Sequence, residues 1–402
     1  MADAPDVGTM DFEKEVARLQ ALVKTSLAIS TITSLDELLL VIMGEITRAL
    51  DADRSTLFLY DEETDELWSK IAQGMDLAEI RIKSDQGIAG HVFKSGKSVN
   101  IADAVHDSRQ MKKVDSTTGY VTKTLLCVRL DNKDGNPIGV IQVLNKKGDG
   151  AFSADDERLL SALAVHVSIS IENTRLYHEL KEMFDSFIAA CAKTIDARDT
   201  LTAHHSAHVA MYSVAVARNL HFDKEEIEVL RYASLLHDFG KIGVRDHILC
   251  KPGPLTPDEY SAMKGHAQYT KDLLGKIKFN RQYRPIPKVA GGHHEKLDGS
   301  GYPDGVAGDK IPLGTRIISV SDVFDSLTTP RHYRQPMPDP DAIAILEKGR
   351  IKEFDPDCID SLKLYCHRKR APLPGFDDAE VQKSLDAKYK PLSETKKLLM
   401  TI

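Results

Sequence analysis

No apolar run in this chain approaches the ~18 residues needed to span a bilayer; the richest, Leu38 to Met43, reads as part of an amphipathic helix. The start, Met1-Ala2-Asp3-Ala4-Pro5-Asp6-Val7, lacks the basic residues and apolar core of a secretory signal, so a cytoplasmic protein is expected. Cysteine is scarce. The five present (Cys127, Cys191, Cys250, Cys358, Cys366) form no CxxC pair, and their odd number argues against a disulfide framework and for small core-filling residues. Positive charge is not in excess either. A net charge of −7 and a pI near 6.1 exclude a general binder of nucleic-acid polymers, so any phosphate site must be a local gathering of Arg and Lys.

What is present is ordinary globular material, 42% hydrophobic and 28% charged, in 402 residues. That length is long for one core and predicts two domains joined by a helix. Residues 12 to 31 and 35 to 50 carry apolar positions at helical spacing (Phe12, Val16, Leu19, Val23; Leu38, Leu39, Ile42, Ile46). From Ser55 the period changes. Ser55–Tyr60, Glu66–Ala72, Leu125–Leu130 and Ile138–Leu144 are short β-rich runs, with a turn at Asp131–Asn136, and predict an antiparallel sheet flanked by helices.

This first region resembles a GAF domain, over residues 12 to 172, most specifically in Asn145-Lys146, then Phe152, then Asp156-Glu157. In GAF domains of cyclic nucleotide phosphodiesterases and adenylyl cyclases the same NK…FxxxDE pattern supports a nucleotide pocket. The resemblance implies cAMP, cGMP or a related ligand as a regulator. A Lys-Asp pair and a buried Phe would also lock a last strand to the following helix without any ligand.

From Asp155 to about Ala197 no proline or glycine interrupts a helical stretch. Ile169, Asn173, Leu176, Leu180, Met183, Phe187 and Ala190 alternate in steps of four and three, the seam of a coiled coil. A parallel homodimer is expected, with Asn173 fixing register; the same stripe would alternatively pack on its own domain.

The remainder reads as nearly all helical, at Val209–Val216, Ile227–Leu236 and Asp341–Ile351, with a Thr256 cap and Pro257 opening a helix that carries Met263 and His266. Two motifs dominate it: Leu236-His237-Asp238-Phe239-Gly240-Lys241, and His293-His294-Glu295 running on to Gly299-Ser300-Gly301-Tyr302-Pro303. With His205 and His266 they supply enough imidazole and carboxylate for a multinuclear metal site. Two metals roughly 3.5 to 4 Å apart neutralise a phosphodiester and activate water, and mixed His and Asp donors favour iron, manganese or zinc over magnesium or calcium.

HDxGK followed by HHExxDGxGYP resembles the HD-GYP family of metal-dependent cyclic dinucleotide phosphodiesterases, over residues 185 to 370. The resemblance implies an all-α HD-type domain whose metal ligands are His205, His237, Asp238, His266, His293, His294 and Asp322, holding two ions, iron or manganese, with Asp238 as the bridge. Some relatives hold a third metal through a glutamate four positions before the first histidine, where this chain has Leu201. Lys241 is expected to stabilise charge on the scissile phosphate. The Gly301 loop is expected to approach phosphate, Tyr302 to offer a face to guanine, and Arg331 and Arg334 to contact substrate phosphate. His204, His208 and His247 are expected to be incidental. The implied reaction is hydrolysis of cyclic di-GMP to pGpG, with GMP as a further product. A phosphodiesterase for 3′,3′-cGAMP and a non-catalytic cyclic dinucleotide receptor are the alternatives. Residues 371–402 form a tail of unassigned role.

Overall fold

The computed structural model describes residues 35–69, 80–110, 120–148, 150–198, 204–330 and 335–367. The helix expected at 12–31, the end of the run Glu66–Ala72, Leu201, Arg331, Arg334 and the tail 371–402 therefore lie outside the described residues. Contacts divide the chain into two units that part between Glu182 and Met183.

In the first unit α1 (Leu35–Ala49) leads into β1 (Ala52–Asp61), β2 (Glu66–Ser69) and β3 (Ile80–Lys83), then α2 (Gly87–Ser95), β4 (Val99–Ile101), β5 (Leu125–Asp131) and β6 (Pro137–Lys146). The strands form one antiparallel sheet in the order β3-β2-β1-β6-β5-β4. Alternation sorts its side chains into two cores. Leu57, Leu59, Val128 and Ile141 join Leu38, Ile42, Ile46, Leu160 and Leu163 on one face. Phe58, Cys127 and Val140 join Ile82, Val92 and Phe93 on the other.

One helix, α3 (Ala154–Arg198), is 45 residues long and runs from the first unit into the second. Leu160, Leu163 and Val167 are buried near its start, and Ile188, Ala192 and Ile195 near its end. Between them Ile169, Leu176, Leu180, Met183 and Phe187 are each about half exposed or more, at 48 to 61%. Asn173 and Ala190 of the expected seam are also exposed.

The second unit is helical: α4 (His205–Asn219), α5 (Lys224–Leu235), a 3-10 turn (Phe239–Gly243), α6 (Asp246–Leu249), α7 (Pro257–Leu274), α8 (Ile286–Gly291), α9 (Leu313–Thr328), α10 (Asp339–Lys348) and α11 (Pro356–His367). Capping boxes Asp223/Glu226 and Thr256/Glu259 start α5 and α7, the latter with Pro257 in its first turn. The helix expected to reach Ile351 ends at Lys348, because Gly349 caps it and the chain turns back through Ile351 at positive φ. Tyr212, Tyr232, Phe324, Ile317 and Leu362 fill the core that fixes α4, α5 and α9.

Candidate metal centre

Backbone carbonyls aim the imidazoles. His237, His266 and His293 each put Nδ1 2.7 Å from the carbonyl three residues earlier, that of Ser234, Met263 and Ala290. A carbonyl only accepts, so Nδ1 carries the hydrogen and Nε2 presents a lone pair inward. The Nε2 atoms of His266 and His293 lie 3.3 Å apart, and that of His237 is buried without a hydrogen-bond partner. Lone pairs facing one another in a buried space fit a shared cation.

Asp238 stands at the middle with its two oxygens divided. Oδ2 is 3.4 Å from His237 Nε2 and 3.8 Å from His205 Nε2; Oδ1 is 3.4 Å from His266 Nε2 and 3.9 Å from His293 Nε2. Asp322, on α9, puts Oδ1 3.2 Å from His205 Nε2 and 3.9 Å from His237 Nε2. Donor atoms within 4.8 Å of one another form the groups His266/His293/His294, His205/His237/Asp238 and His237/His293/Asp322. All seven expected ligands are thus brought into one cluster.

Electrostatics separate its two sides. Burial alone would lower the pKa of His205, but hydrogen bonds to Asp322 and Asp325 outweigh it and raise it to about 10. Burial pushes His266 and His293 down and His294 to about 4, so these imidazoles are neutral donors. Asp238 is buried, which by itself would favour its protonated form, yet Lys241, His237 and His266 hold its carboxyl well below the usual range. Lys241 Nζ lies 2.8 Å from Asp238 Oδ2.

Several supports carried no assigned role in the sequence. Asp325, one helical turn beyond Asp322, is fully buried and meets His205 Nδ1 at 2.8 Å; it also comes within 3.2 Å of Nδ1 of His208, a buried histidine outside the expected ligand set. A carboxylate behind a ligating imidazole fixes its tautomer and strengthens it as a donor. Thr270 accepts from Gly240 N and donates to the His237 carbonyl, and a Cβ at Gly240 would lie 2.0 Å from the His266 carbonyl oxygen. That is why glycine follows the His-Asp pair. Arg198, the last residue of α3, donates to the carbonyls of Lys241, Ile242 and Val244 and to Asp246 Oδ1, tying down the turn that bears Lys241.

Glu295 organises the glycine-rich loop. Buried at 4% exposure, its carboxylate accepts from Asp304 N (2.7 Å), Gly305 N (3.2 Å) and Val306 N (3.1 Å), while Asp298 Oδ1 accepts from Ser300 N and Oγ. These bonds hold the loop as a pinned turn. Gly301 is required because a Cβ there would lie 2.5 Å from His294 O and Glu295 Cα. Tyr302 packs its ring against His294, centroids 4.7 Å apart and tilted by 35°.

In the first unit the NK…FxxxDE residues are engaged within the domain. Asn145 Oδ1 accepts from Lys123 N and Thr124 N; Lys146 Nζ reaches the Leu50 carbonyl and Asp156; Asp156 holds Ser153; Glu157 pairs with Ser98; Phe152 is buried beside the sheet. A separate cavity of about 90 Å³ on the opposite sheet face is lined by Thr56, Phe58, Ile82, Thr122 and Gln142, with none of the motif residues. Among the described residues no helix is long and apolar enough to cross a membrane.

Comparison with known proteins agrees with this geometry. The family described as GAF domain matches residues 34–171 and that described as HD domain matches 189–358. The chain is 44% identical over 179 residues to the 3′3′-cGAMP-specific phosphodiesterase 3 of Vibrio cholerae serotype O1, covering 44% of this chain and 38% of the relative. It is 33% identical over 224 residues to the 3′3′-cGAMP-specific phosphodiesterase 2 of the same organism, covering 56% and 43%. Against the cyclic di-GMP phosphodiesterase response regulator RpfG of Xanthomonas campestris pv. campestris it is 38% identical over 197 residues, covering 48% and 52%. The chain spans about half or less of the length of these curated relatives. With an antiparallel sheet unit matching the first family and a helical unit that gathers histidines and aspartates, of the kind that holds divalent metal, matching the second, the chain joins a GAF domain to an HD domain.

Proposed function

We propose that this chain is a metal-dependent phosphodiesterase of HD-GYP type that hydrolyses cyclic di-GMP to pGpG, with GMP as a further product. The observation that carries the reading is Asp238, whose two oxygens face different imidazole sets, His205/His237 and His266/His293. In this reading His205, His237, Asp238 and Asp322 hold one ion, and Asp238, His266, His293 and His294 the other; the donor set favours iron or manganese. Two such ions would supply charge to the scissile phosphate and acidify a water.

The chain's own groups do the rest. Lys241, 2.8 Å from Asp238, keeps a positive charge beside the site of phosphate charge build-up. The Asp325 carboxylate orients His205, and the carbonyls behind His237, His266 and His293 orient the others, so no reorganisation is needed when substrate arrives. Arg331 and Arg334 are assigned to substrate phosphate by the family pattern.

The second reading, 3′,3′-cGAMP as substrate, is favoured by the 44% identity to a phosphodiesterase named for it. A cyclic dinucleotide receptor without turnover is disfavoured by the complete ligand set. The exposed stripe Ile169, Leu176, Leu180, Met183 and Phe187 supports a parallel homodimer, with a second copy of α3 as its cover. Leu180→Asp is expected to convert dimer to monomer in light scattering. A regulatory ligand, cAMP or cGMP by resemblance, is assigned to the cavity beneath Phe58. Its 90 Å³ is well below the ~300 Å³ of common ligand pockets, so a nucleotide requires the cavity to widen.

The test is hydrolysis of cyclic di-GMP and 3′,3′-cGAMP by protein purified without oxygen, with metals quantified. About two metals per chain and turnover to pGpG are expected, both lost in His237→Ala and Asp238→Ala. Tight binding without turnover in fully metallated protein would favour the receptor.

A further inference from the structure

Beside the metal centre one lysine is held in an unusual setting. Lys241, Lys251, Lys271 and Lys296 each meet a carboxylate, that of Asp238, Glu259, Asp304 and Glu353. Lys264, half-buried on α7, has its ammonium over two tyrosine rings, 5.2 Å from the centroid of Tyr260 and 5.7 Å from that of Tyr302, and among the described residues no acid pairs with it. Tyr260 lies one helical turn before it and is 53% exposed. Tyr302 in turn packs on His294 of the metal cluster. The cation is therefore fixed a single aromatic ring away from the centre, next to an exposed flat face, with its hydrogen-bond donors unspent.

We propose that Tyr260 and Lys264 form the base-recognition position of the substrate site, Tyr260 stacking on a purine and Lys264 donating to the O6 and N7 acceptors that mark guanine. Stacking accepts any purine. A lysine does not, because guanine offers two acceptors on that edge whereas adenine pairs its N7 with an N6 amino donor that faces the ammonium unfavourably. The position would thus favour guanine over adenine next to the metals. This inference rests on the phosphodiesterase reading above.

The experiment compares kcat/KM of the metal-loaded full chain for cyclic di-GMP, 3′,3′-cGAMP and cyclic di-AMP, the last read as a competing inhibitor where turnover is slow. Lys264→Met is expected to lose roughly tenfold on cyclic di-GMP and at least fivefold less on cyclic di-AMP, with metal content unchanged. Lys264→Arg, which keeps donors for O6 and N7, should restore the guanine preference. Tyr260→Leu should lower all three substrates alike. Equal losses on the three substrates in Lys264→Met, or no loss, would overturn the assignment while leaving the phosphodiesterase reading intact. A wild-type chain that hydrolyses none of them overturns that reading, and this one with it.

Discussion

His266 and His293 bring their Nε2 atoms to 3.3 Å while the Nδ1 of each is committed to a backbone carbonyl, so the close approach is between two lone pairs. Such a contact is repulsive unless a cation shares it. Chelation should therefore lower the melting temperature, and returning metal should add stability in proportion to the logarithm of its concentration, about 2.7 kcal/mol at a hundredfold excess over Kd. Calorimetry with iron or manganese titrated into chelated protein reads this directly; a melting temperature indifferent to metal would contradict it.

Stability of the metal-free chain should depend on alkaline pH through His205. Its folded pKa is raised to about 10, so its imidazolium contribution is whole below about 6.5 and fades as pH rises toward 10, by at most about 1.4 kcal/mol per pH unit. Metal must displace that proton, so apparent metal affinity should rise over the same window. Titration calorimetry in buffers of different ionisation enthalpy should register the released proton.

Asp325→Asn keeps the shape of the group behind His205 but removes its charge. Metal affinity is expected to fall 10- to 100-fold with the fold retained, since a buried carboxylate of this kind acts through the donor strength of the imidazole. Unchanged affinity would show that geometry alone suffices.

Glu295→Gln should leave metal content intact and lower kcat/KM. One of the carboxylate oxygens that hold the amides of Asp304, Gly305 and Val306 becomes a donor facing donors, and the turn under Tyr302 loosens. Simultaneous loss of both metals would reassign Glu295 to the centre itself.

Gly240→Ala forces a methyl to within 2.0 Å of the His266 carbonyl oxygen and 2.4 Å of Thr270 N. A destabilisation of roughly 1 to 3 kcal/mol is expected from overpacking, visible in chemical denaturation.

The gathering of histidines and aspartates was legible because such donor types are chemically few and stand in conspicuous pairs such as His237-Asp238 and His293-His294, whereas their supports were not. Asp325 and Glu295 look like any acid until α9 and the Gly301 loop fold over them. The long strands β1, β5 and β6 announce themselves by alternation, but β3 and β4, four and three residues long, are too short to establish a period. The spacing of the NK…FxxxDE residues alone does not distinguish a pocket wall from a strand-to-helix lock; in the fold Lys146 meets Asp156 and Phe152 is buried beside the sheet. The glycine count likewise says nothing of the buried carboxylate that fastens the Gly301 loop.

Arg198 closes a helix of 45 residues that begins at Ala154, and from that last turn it grips three carbonyls beside Lys241. An α-helix advances about 100° per residue. A single residue inserted or removed between Ile188 and Arg198 would re-aim the guanidinium by that angle relative to the buried Ile188, whereas seven would return it within about 20° of its bearing. The clamp on the Lys241 turn is therefore phase-locked to the buried stripe Ile188, Ala192 and Ile195, and holds only while that stripe keeps its register.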